Sequence, residues 1–313
     1  METFLGLDLG GTKLLIGEVD SKGNILRSKR YDSGHLSQSQ ALELLMSSLE
    51  DYMTNVGWVD AAPKAMGIGL IGRVDSKEGI WHQIDCNRTA SLPLSARIYE
   101  RFGIPCFIDN DVKSATKAEL LWGVGKMSSN FLYINIGTGI ASGAVIDGRL
   151  LKGASFNAGE TGHMVSGVDL GMDCICGRRD CVELLASGYG LDKCARHFMN
   201  SYPSSLDIPE EEGKRIDAAQ IFRLAQEGDP LCSFLVDNAA AATANLIMDL
   251  VRCFDPDAIV LGGGIIAEDY MYDRVLENVD PYTVRFVKNG IARTTLNPEY
   301  VGLLGAAANA IEG

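Results

Sequence analysis

Short apolar runs broken by glycine mark the first third of the chain. Residues 4–9 (FLGLDL) and 14–20 (LLIGEVD) have strand length and flank a tight GGTK turn; SKGN then closes that hairpin and ILRSKRYD continues the sheet. Between about 38 and 56, Leu42, Leu45, Met46, Leu49 and Tyr52 or Met53 recur on one helical face. AMGIGLIG (65–72) reads as a buried strand, PLSARIYERFG (93–103) as a helix stopped by glycine, and PCFID as the next strand. Near residue 113 the pattern restarts: KSATKAELLWG is helical, and FLYINIGTG and SGAVIDGRLL form strand–turn–strand. Irregular sequence fills 153–181, and helices are expected at about 183–200, 217–227 and 231–254. DAIVLGGGI is a strand entering a glycine turn, GLLGAAANAIE (302–312) is a closing helix, and the polar stretch 201–215 is a surface loop. The strand–glycine turn–strand unit at 4–19 recurs at 131–146, which suggests duplicated halves with a cleft between them. The expected division is an N-terminal α/β domain, 1–112 plus the closing helix from about 297–313, and a larger α/β domain, 113–296.

Composition narrows the function classes. With 46% hydrophobic and 22% charged residues among 313, the chain can bury ordinary globular cores. A net charge of -13, with no stripe of Lys and Arg, argues against nucleic acid as a partner. The N-terminus METFLGLDLGG lacks the basic segment and cleavage site of a secretion signal, and the apolar stretches are interrupted by Asp, Asn or Arg, so no membrane span is expected and a cytoplasmic location is. Eight cysteines without a secretion signal point away from a disulfide framework. Cys86, Cys106, Cys194, Cys232 and Cys253 are scattered and read as small core hydrophobes.

Four features carry chemistry. Asp109-Asn110-Asp111 ends a buried strand and opens a helix. Two carboxylates there are costly unless donors or a ligand meet them; they form either a helix N-cap or a general base awaiting a substrate hydroxyl. Three glycine turns follow apolar strands, at Gly10-Gly11-Thr12-Lys13, Gly137-Thr138-Gly139 and Gly262-Gly263-Gly264. Each alone is a hairpin turn as readily as a phosphate cradle, and none is a P-loop or a full dinucleotide fingerprint. Together, with hydroxyls at Thr12 and Thr138, they resemble the paired phosphate loops of the superfamily of actin, heat-shock ATPases and sugar kinases. In that setting Asp8 holds Mg2+, through water, rather than only stabilising its turn. Finally, Cys174, Cys176 and Cys181 fall within eight residues, and His163 lies just upstream. One nitrogen and three sulfurs suit a fully ligated, structural Zn2+.

In order along the whole chain, DLGGTK, DNDV, GTGI, AGETGH, CICGRRDCVE and LGGG resemble the ROK family of sugar kinases. The resemblance implies a two-domain actin-like (ribonuclease H-like) α/β fold with an interdomain cleft. It also implies ATP-dependent phosphorylation of a hexose or N-acylhexosamine, and a homodimer. By that resemblance Asp111 is the catalytic base, Asn110, Asp111, Glu160, His163 and Glu183 face the sugar, and His163, Cys174, Cys176 and Cys181 hold zinc. Asp109 is then structural. The sequence departs from the family at Lys113, where Asn is usual in NDxN, at Asp180, where Gly is common, in the GIASG form of the second phosphate loop, and in WHQIDCNRTASL (81–92), where a PNL-like sugar loop is not recognisable.

Gly72-Arg73 begins a GRV segment similar to that of N-acetylmannosamine kinases. Arg73 there either faces the sugar's 2-substituent or is a solvated turn residue. The expected activity is therefore transfer of phosphate from ATP to the 6-hydroxyl of a glucose-type hexose, with an N-acylhexosamine as the alternative. A non-catalytic sugar or nucleotide sensor and a thiol redox protein are rival classes. The family's repressors would need an added N-terminal helix-turn-helix, and this chain starts directly at the strand before DLGGTK.

Overall fold

The computed structural model describes every residue except Met1, Thr12, His35, Cys86, Asn87 and Glu212, and describes only the backbone of Arg88. The chain divides into two compact units: Met1–Met127 with Gly148–Ala158 and Thr295–Gly313, and Ser128–Asp147 with Gly159–Thr294.

The first unit is built on a five-stranded sheet. Strands β1 (Thr3–Leu9), β2 (Lys13–Asp20) and β3 (Ile25–Asp32) form an antiparallel meander, as the apolar runs and turns predict. Strands β4 (Met66–Leu70) and, beyond it, β8 (Cys106–Asn110) then add in parallel to β1. Helix α1 (Gln38–Asp51) starts at a capping box between Ser37 and Gln40 and runs into a π-helical turn, Tyr52–Val56, so the helix expected over 38–56 is observed; of its predicted face Leu45, Leu49 and Tyr52 are buried, whereas Leu42, Met46 and Met53 are half-buried. Helix α2 (Leu94–Phe102) ends at Gly103 in the left-handed conformation.

The region 73–92, to which the sequence pattern assigns no element, is a small antiparallel sheet: β5 (Arg73–Asp75), β6 (Ile80–Asp85) and β7 (Arg88–Leu92). Its register shifts at three places, so no clean alternation marks it in the sequence. Trp81, 1% exposed, anchors it to the core and donates its indole N–H to Ile71 O at 3.0 Å.

Helices α3 (Asp111–Trp122) and α10 (Val301–Glu312) cover the sheet. The glycines of β1 and β4 decide how closely α10 lies. A Cβ on Gly67 would run into the Ala306 carbonyl, and one on Gly6 into the Leu303 carbonyl. The GLLGAAANA sequence supplies the matching small side chains on the helix.

In the second unit, β9 (Phe131–Ile136) and β10 (Ile140–Ile146) form the second hairpin around a glycine turn. Strand Ala258–Gly262 pairs in parallel with β9, and strand Ile291–Arg293 with Ala258–Gly262 in turn. The duplication expected from 4–19 and 131–146 is thus a shared topology, a hairpin extended by parallel strands. Helices α4 (Val182–Ala186), α5 (Gly188–Phe198), α6 (Ala218–Gln226), α7 (Pro230–Phe254), α8 (Gly264–Ala267) and α9 (Asp269–Asn278) complete this unit. The single helix expected over 183–200 is broken at Ser187. Ser187 is extended, and its hydroxyl caps α5 by accepting from Gly190 N at 2.9 Å. Helix α7 is long and apolar enough to span a bilayer by length and composition, yet it is largely buried as the central helix of this unit's core. Cys106, Cys194 and Cys232 are buried as expected; Cys253 is exposed, near the C-terminus of α7 where the helix turns to solvent, and Cys86 lies outside the described residues.

The close approach of α10 to β4 yields a stability prediction. Gly67→Ala forces backbone apart in a packed layer and should destabilise the protein by about 1–3 kcal/mol, the usual cost of overpacking. Urea titration followed by circular dichroism would show this, and an unchanged midpoint would contradict the packing argument.

Candidate functional site

Strand β8 stops at Asn110 and α3 begins at Asp111. Alternation along an uninterrupted strand would have put Asp109 and Asp111 on one face; the change to helix between them separates their surroundings. Asp109 is fully buried. Its Oδ2 lies 3.1 Å from Lys117 Nζ, and its Oδ1 accepts from Asn110 N at 2.9 Å. Lys117 Nζ is not aligned as a hydrogen-bond donor to Oδ2 and donates to Asn309 Oδ1 at 2.8 Å. Asn309 Nδ2 donates to Ser114 Oγ at 2.8 Å, and Ser114 Oγ to Asn110 O at 2.8 Å. A buried chain of polar groups therefore fixes the junction from below.

Asn110 answers to the N-cap reading. Its Oδ1 accepts from Val112 N and Lys113 N at 3.0 and 3.2 Å, and its Nδ2 donates to Gly72 O at 3.0 Å. The same amide thus ties α3 to the turn at Gly72, whose φ of +84° suits glycine. Asp111 is the first residue of α3, partly exposed, and its Oδ1 accepts from Val112 N at 2.9 Å. Arg73 starts β5, opposite Gln83, and is partly exposed.

The first glycine turn is closed by Gly10 N donating to Lys13 O at 2.9 Å; Thr12, expected to offer a hydroxyl here, lies outside the described residues. Asp8, near the end of β1, sits against the first turn of α10, where a Cβ on Gly302 would collide with its carboxylate. Burial pushes the Asp8 carboxyl up to about 6, against the opposing pull of the Lys13 ammonium.

In the second unit Gly137 N closes its turn on Gly139 O at 3.0 Å. Gly188 N and Tyr189 N donate to the carbonyls of Gly137 and Thr138, so the start of α5 is bound to this turn. Glu183, expected as a sugar ligand, uses Oε2 to accept from Ile140 N at 2.8 Å. It therefore also supports the glycine turn. Gly263, at φ +94°, packs its backbone on Ile136 O, and Gly264 begins α8. A cavity of about 390 Å³ is lined by Gly137, Thr138, Gly188, Arg215, Gly264 and Glu268, among others. It brings together the second and third glycine turns. Arg215 and Glu268 carry no motif and were not foreseen. Their place in a polar loop and at a helix start gave no periodic signal.

Glu160 is exposed and precedes a single 3-10 turn, Thr161–His163. His163 Nδ1 lies 3.7 Å from Cys174 Sγ, Cys176 Sγ lies 3.5 Å from Cys181 Sγ, and all four ligand atoms fall within 4.8 Å of one another. Metal–sulfur bonds of about 2.3 Å in a tetrahedron imply edges of about 3.7 Å, so the set fits zinc. Burial raises the thiols of Cys174 and Cys181, a cost that a divalent cation would offset. Asp180 is left-handed, at φ +49°, which explains why glycine is acceptable there. Its carboxylate accepts from Gly171 N and Met172 N at 3.1 and 3.0 Å and so braces the cysteine loop.

A fold of paired hairpin-and-parallel-strand units, each with a glycine turn, defines an α/β chain of the actin-like sugar-kinase class. The chain matches the ROK family over residues 4–312 and belongs to it. It is 29% identical to a glucokinase of Thermotoga maritima, covering 97% of this chain and 96% of that one. It is 28% identical to an N-acetylmannosamine kinase of Yersinia pestis, again over 97% and 96%. The structure of a ROK family glucokinase from Streptomyces griseus in complex with glucose and AMPPNP matches with a TM-score of 0.78 and 26% identity, over 99% of this chain and 100% of that one.

The raised Asp8 carboxyl gives a pH-dependent prediction. Below about pH 4 the group is protonated in both folded and unfolded chains and costs nothing. Between about 4 and 6 the unfolded chain releases the proton first, so stability falls as pH rises. Above about 6 the full penalty, about 3 kcal/mol for a shift of roughly two pH units, is present. Asp8→Asn should therefore match the wild type near pH 4 and exceed its stability at pH 7–8, read by thermal unfolding across that range. A difference independent of pH would refute the burial argument.

Proposed function

We propose that this chain, an ATP-dependent sugar kinase, transfers the γ-phosphoryl group of ATP to the 6-hydroxyl of a glucose-type hexose, with Asp111 as general base. The observation that carries the reading is the β8–α3 junction. Asn110 caps the helix, Asp109 is locked inward by Lys117, and Asp111 is left as the partly exposed carboxylate at the helix start. Asp111 accepts the hydroxyl proton as the sugar oxygen attacks the γ-phosphorus in line; the bond to the β–γ bridging oxygen breaks, giving sugar phosphate and ADP. Asn110, Glu160, His163 and Glu183 orient the sugar hydroxyls. The 390 Å³ cavity receives the nucleotide, with the Gly137–Gly139 and Gly262–Gly264 turns toward its phosphates. Magnesium, when bound, neutralises charge on the transferring group, and Asp8 with the Gly10-Gly11-Thr12-Lys13 turn would hold it. The preference for a glucose-type sugar is supported by the Thermotoga maritima and Streptomyces griseus glucokinases. The Yersinia pestis N-acetylmannosamine kinase, together with Arg73 beside the Gly72 turn that Asn110 binds, supports an N-acylhexosamine as the second reading.

A coupled assay of ADP release with glucose, mannose, N-acetylglucosamine and N-acetylmannosamine tests the activity directly. Asp111→Asn should lower kcat by a factor on the order of 10² to 10⁴ while the sugar KM stays within a few-fold. Near-normal turnover would remove Asp111 from the base role.

We also infer one structural Zn2+ per chain at His163, Cys174, Cys176 and Cys181. Elemental analysis of protein purified without chelator should find it. Cys176→Ala should lose the metal and lower Tm by on the order of 5–10 °C, since zinc binding is coupled to folding. Metal-free wild-type protein of full stability would exclude the site.

A further inference from the structure

Lys113 is an unexpected residue for its position. It lies in the first turn of α3, where the helix dipole disfavours a cation, and it is only 4% exposed, where an ammonium loses its hydration. Its backbone N–H donates to Asn110 Oδ1 at 3.2 Å, so it is part of the cap that positions Asp111. At the other end of its side chain, Nζ donates to Phe156 O at 2.6 Å. Phe156 stands at φ +56°, a left-handed conformation uncommon for an aromatic residue.

The segment Gly148–Ala158 is part of the first unit although the residues on both sides of it belong to the second. Lys152 secures its beginning, with Nζ donating to Ser76 Oγ at 2.9 Å. Lys113 secures its end. Glu160 follows Phe156 by four residues and His163 by seven.

We propose that Lys113 is a positioning residue: its buried ammonium fixes the Phe156 carbonyl, and so holds the stretch of chain that leads directly into Glu160 and His163. The role of the segment rests on the function proposed above; the tether itself does not. The turn is closed by long backbone bonds, Phe156 N to Gly153 O and Ala158 N to Lys152 O, both at 3.4 Å, and the ammonium adds a shorter one to the carbonyl of its left-handed residue. An apolar side chain of similar length, with no N–H to donate, would leave the carbonyl without this partner.

The test is Lys113→Met, with Lys113→Leu as a second variant should the first not fold and Lys113→Arg as the conservative control. In Lys113→Met the KM for the sugar should rise on the order of tenfold or more, the KM for ATP should stay within about twofold, and Lys113→Arg should recover most of the sugar KM. Backbone hydrogen exchange across residues 154–160, measured without sugar or nucleotide, should rise in Lys113→Met and return toward the wild-type rate in Lys113→Arg. An unchanged sugar KM, or an equal rise for sugar and ATP, overturns the proposal. Unchanged exchange in the segment overturns it as well. If the wild type phosphorylates no sugar in the panel, the proposed function fails, and the exchange measurement still decides the tether.

Discussion

The buried pair of Asp109 and Lys117 is the constraint on which the first unit's candidate site depends. A carboxylate and an ammonium at 3.1 Å, both almost without solvent, are stable only if their remaining hydrogen-bonding capacity is met. Lys117 meets part of it through Asn309 on α10, Asn309 passes the requirement to Ser114 on α3, and Ser114 returns it to the Asn110 carbonyl at the end of β8. One charge pair thereby ties a strand and two helices at a single point. Losing either partner would leave the other with a single, more distant opposite charge, Lys152 at 4.0 Å from Asp109 or Glu312 at 3.7 Å from Lys117. The C-terminal helix is consequently a part of the site's foundation although it lies some two hundred residues from the strand it holds.

The same geometry divides the labour between neighbouring acids. Asp109 needs a buried cation, and α10 can come close enough to complete that cation's shell only because Gly6 and Gly67 leave no side chain in its path. Asp111, by contrast, is partly exposed, because Asn110 ends the strand by capping the helix. Had the strand continued, both carboxylates would have faced the same surroundings.

Much of this was legible in the sequence. Periodicity and glycine turns marked the two hairpins, the parallel strands that extend the first, and the closing helix, because each buries a regular apolar face. The cysteine spacing marked the cluster with His163, because its ligands are nearly contiguous. The sheet over 73–92 was not legible: its strands are short, mostly polar and shifted in register, with only Val74, Trp81 and Ile84 buried among the described side chains. Nor did any local signal tell that Glu183 would bind the Ile140 amide, or that Arg215 and Glu268 would line a cavity with two glycine turns. Those are consequences of helix packing across long sequence separations. Lys113 and Asp180 stood out as departures from a family pattern, and each proves to have partners of its own: a carbonyl for the one, two amides for the other.

In the second unit the cysteine cluster and the glycine turn are joined by a short mechanical path. Cys181 stands at the N-terminal boundary of α4, and Glu183 follows two residues later with its carboxylate on Ile140 N. The end of α4 then gives way to Ser187 and α5, whose first amides bind the carbonyls of Gly137 and Thr138. Fixing Cys181 therefore fixes the register of α4, and through Glu183 and the start of α5 it fixes the turn from both sides. A metal ion there would have its largest effect not on chemistry at the cysteines but on how sharply that turn is defined. That is why a closed ligand set, with no open position for substrate, is compatible with importance to a site several residues away.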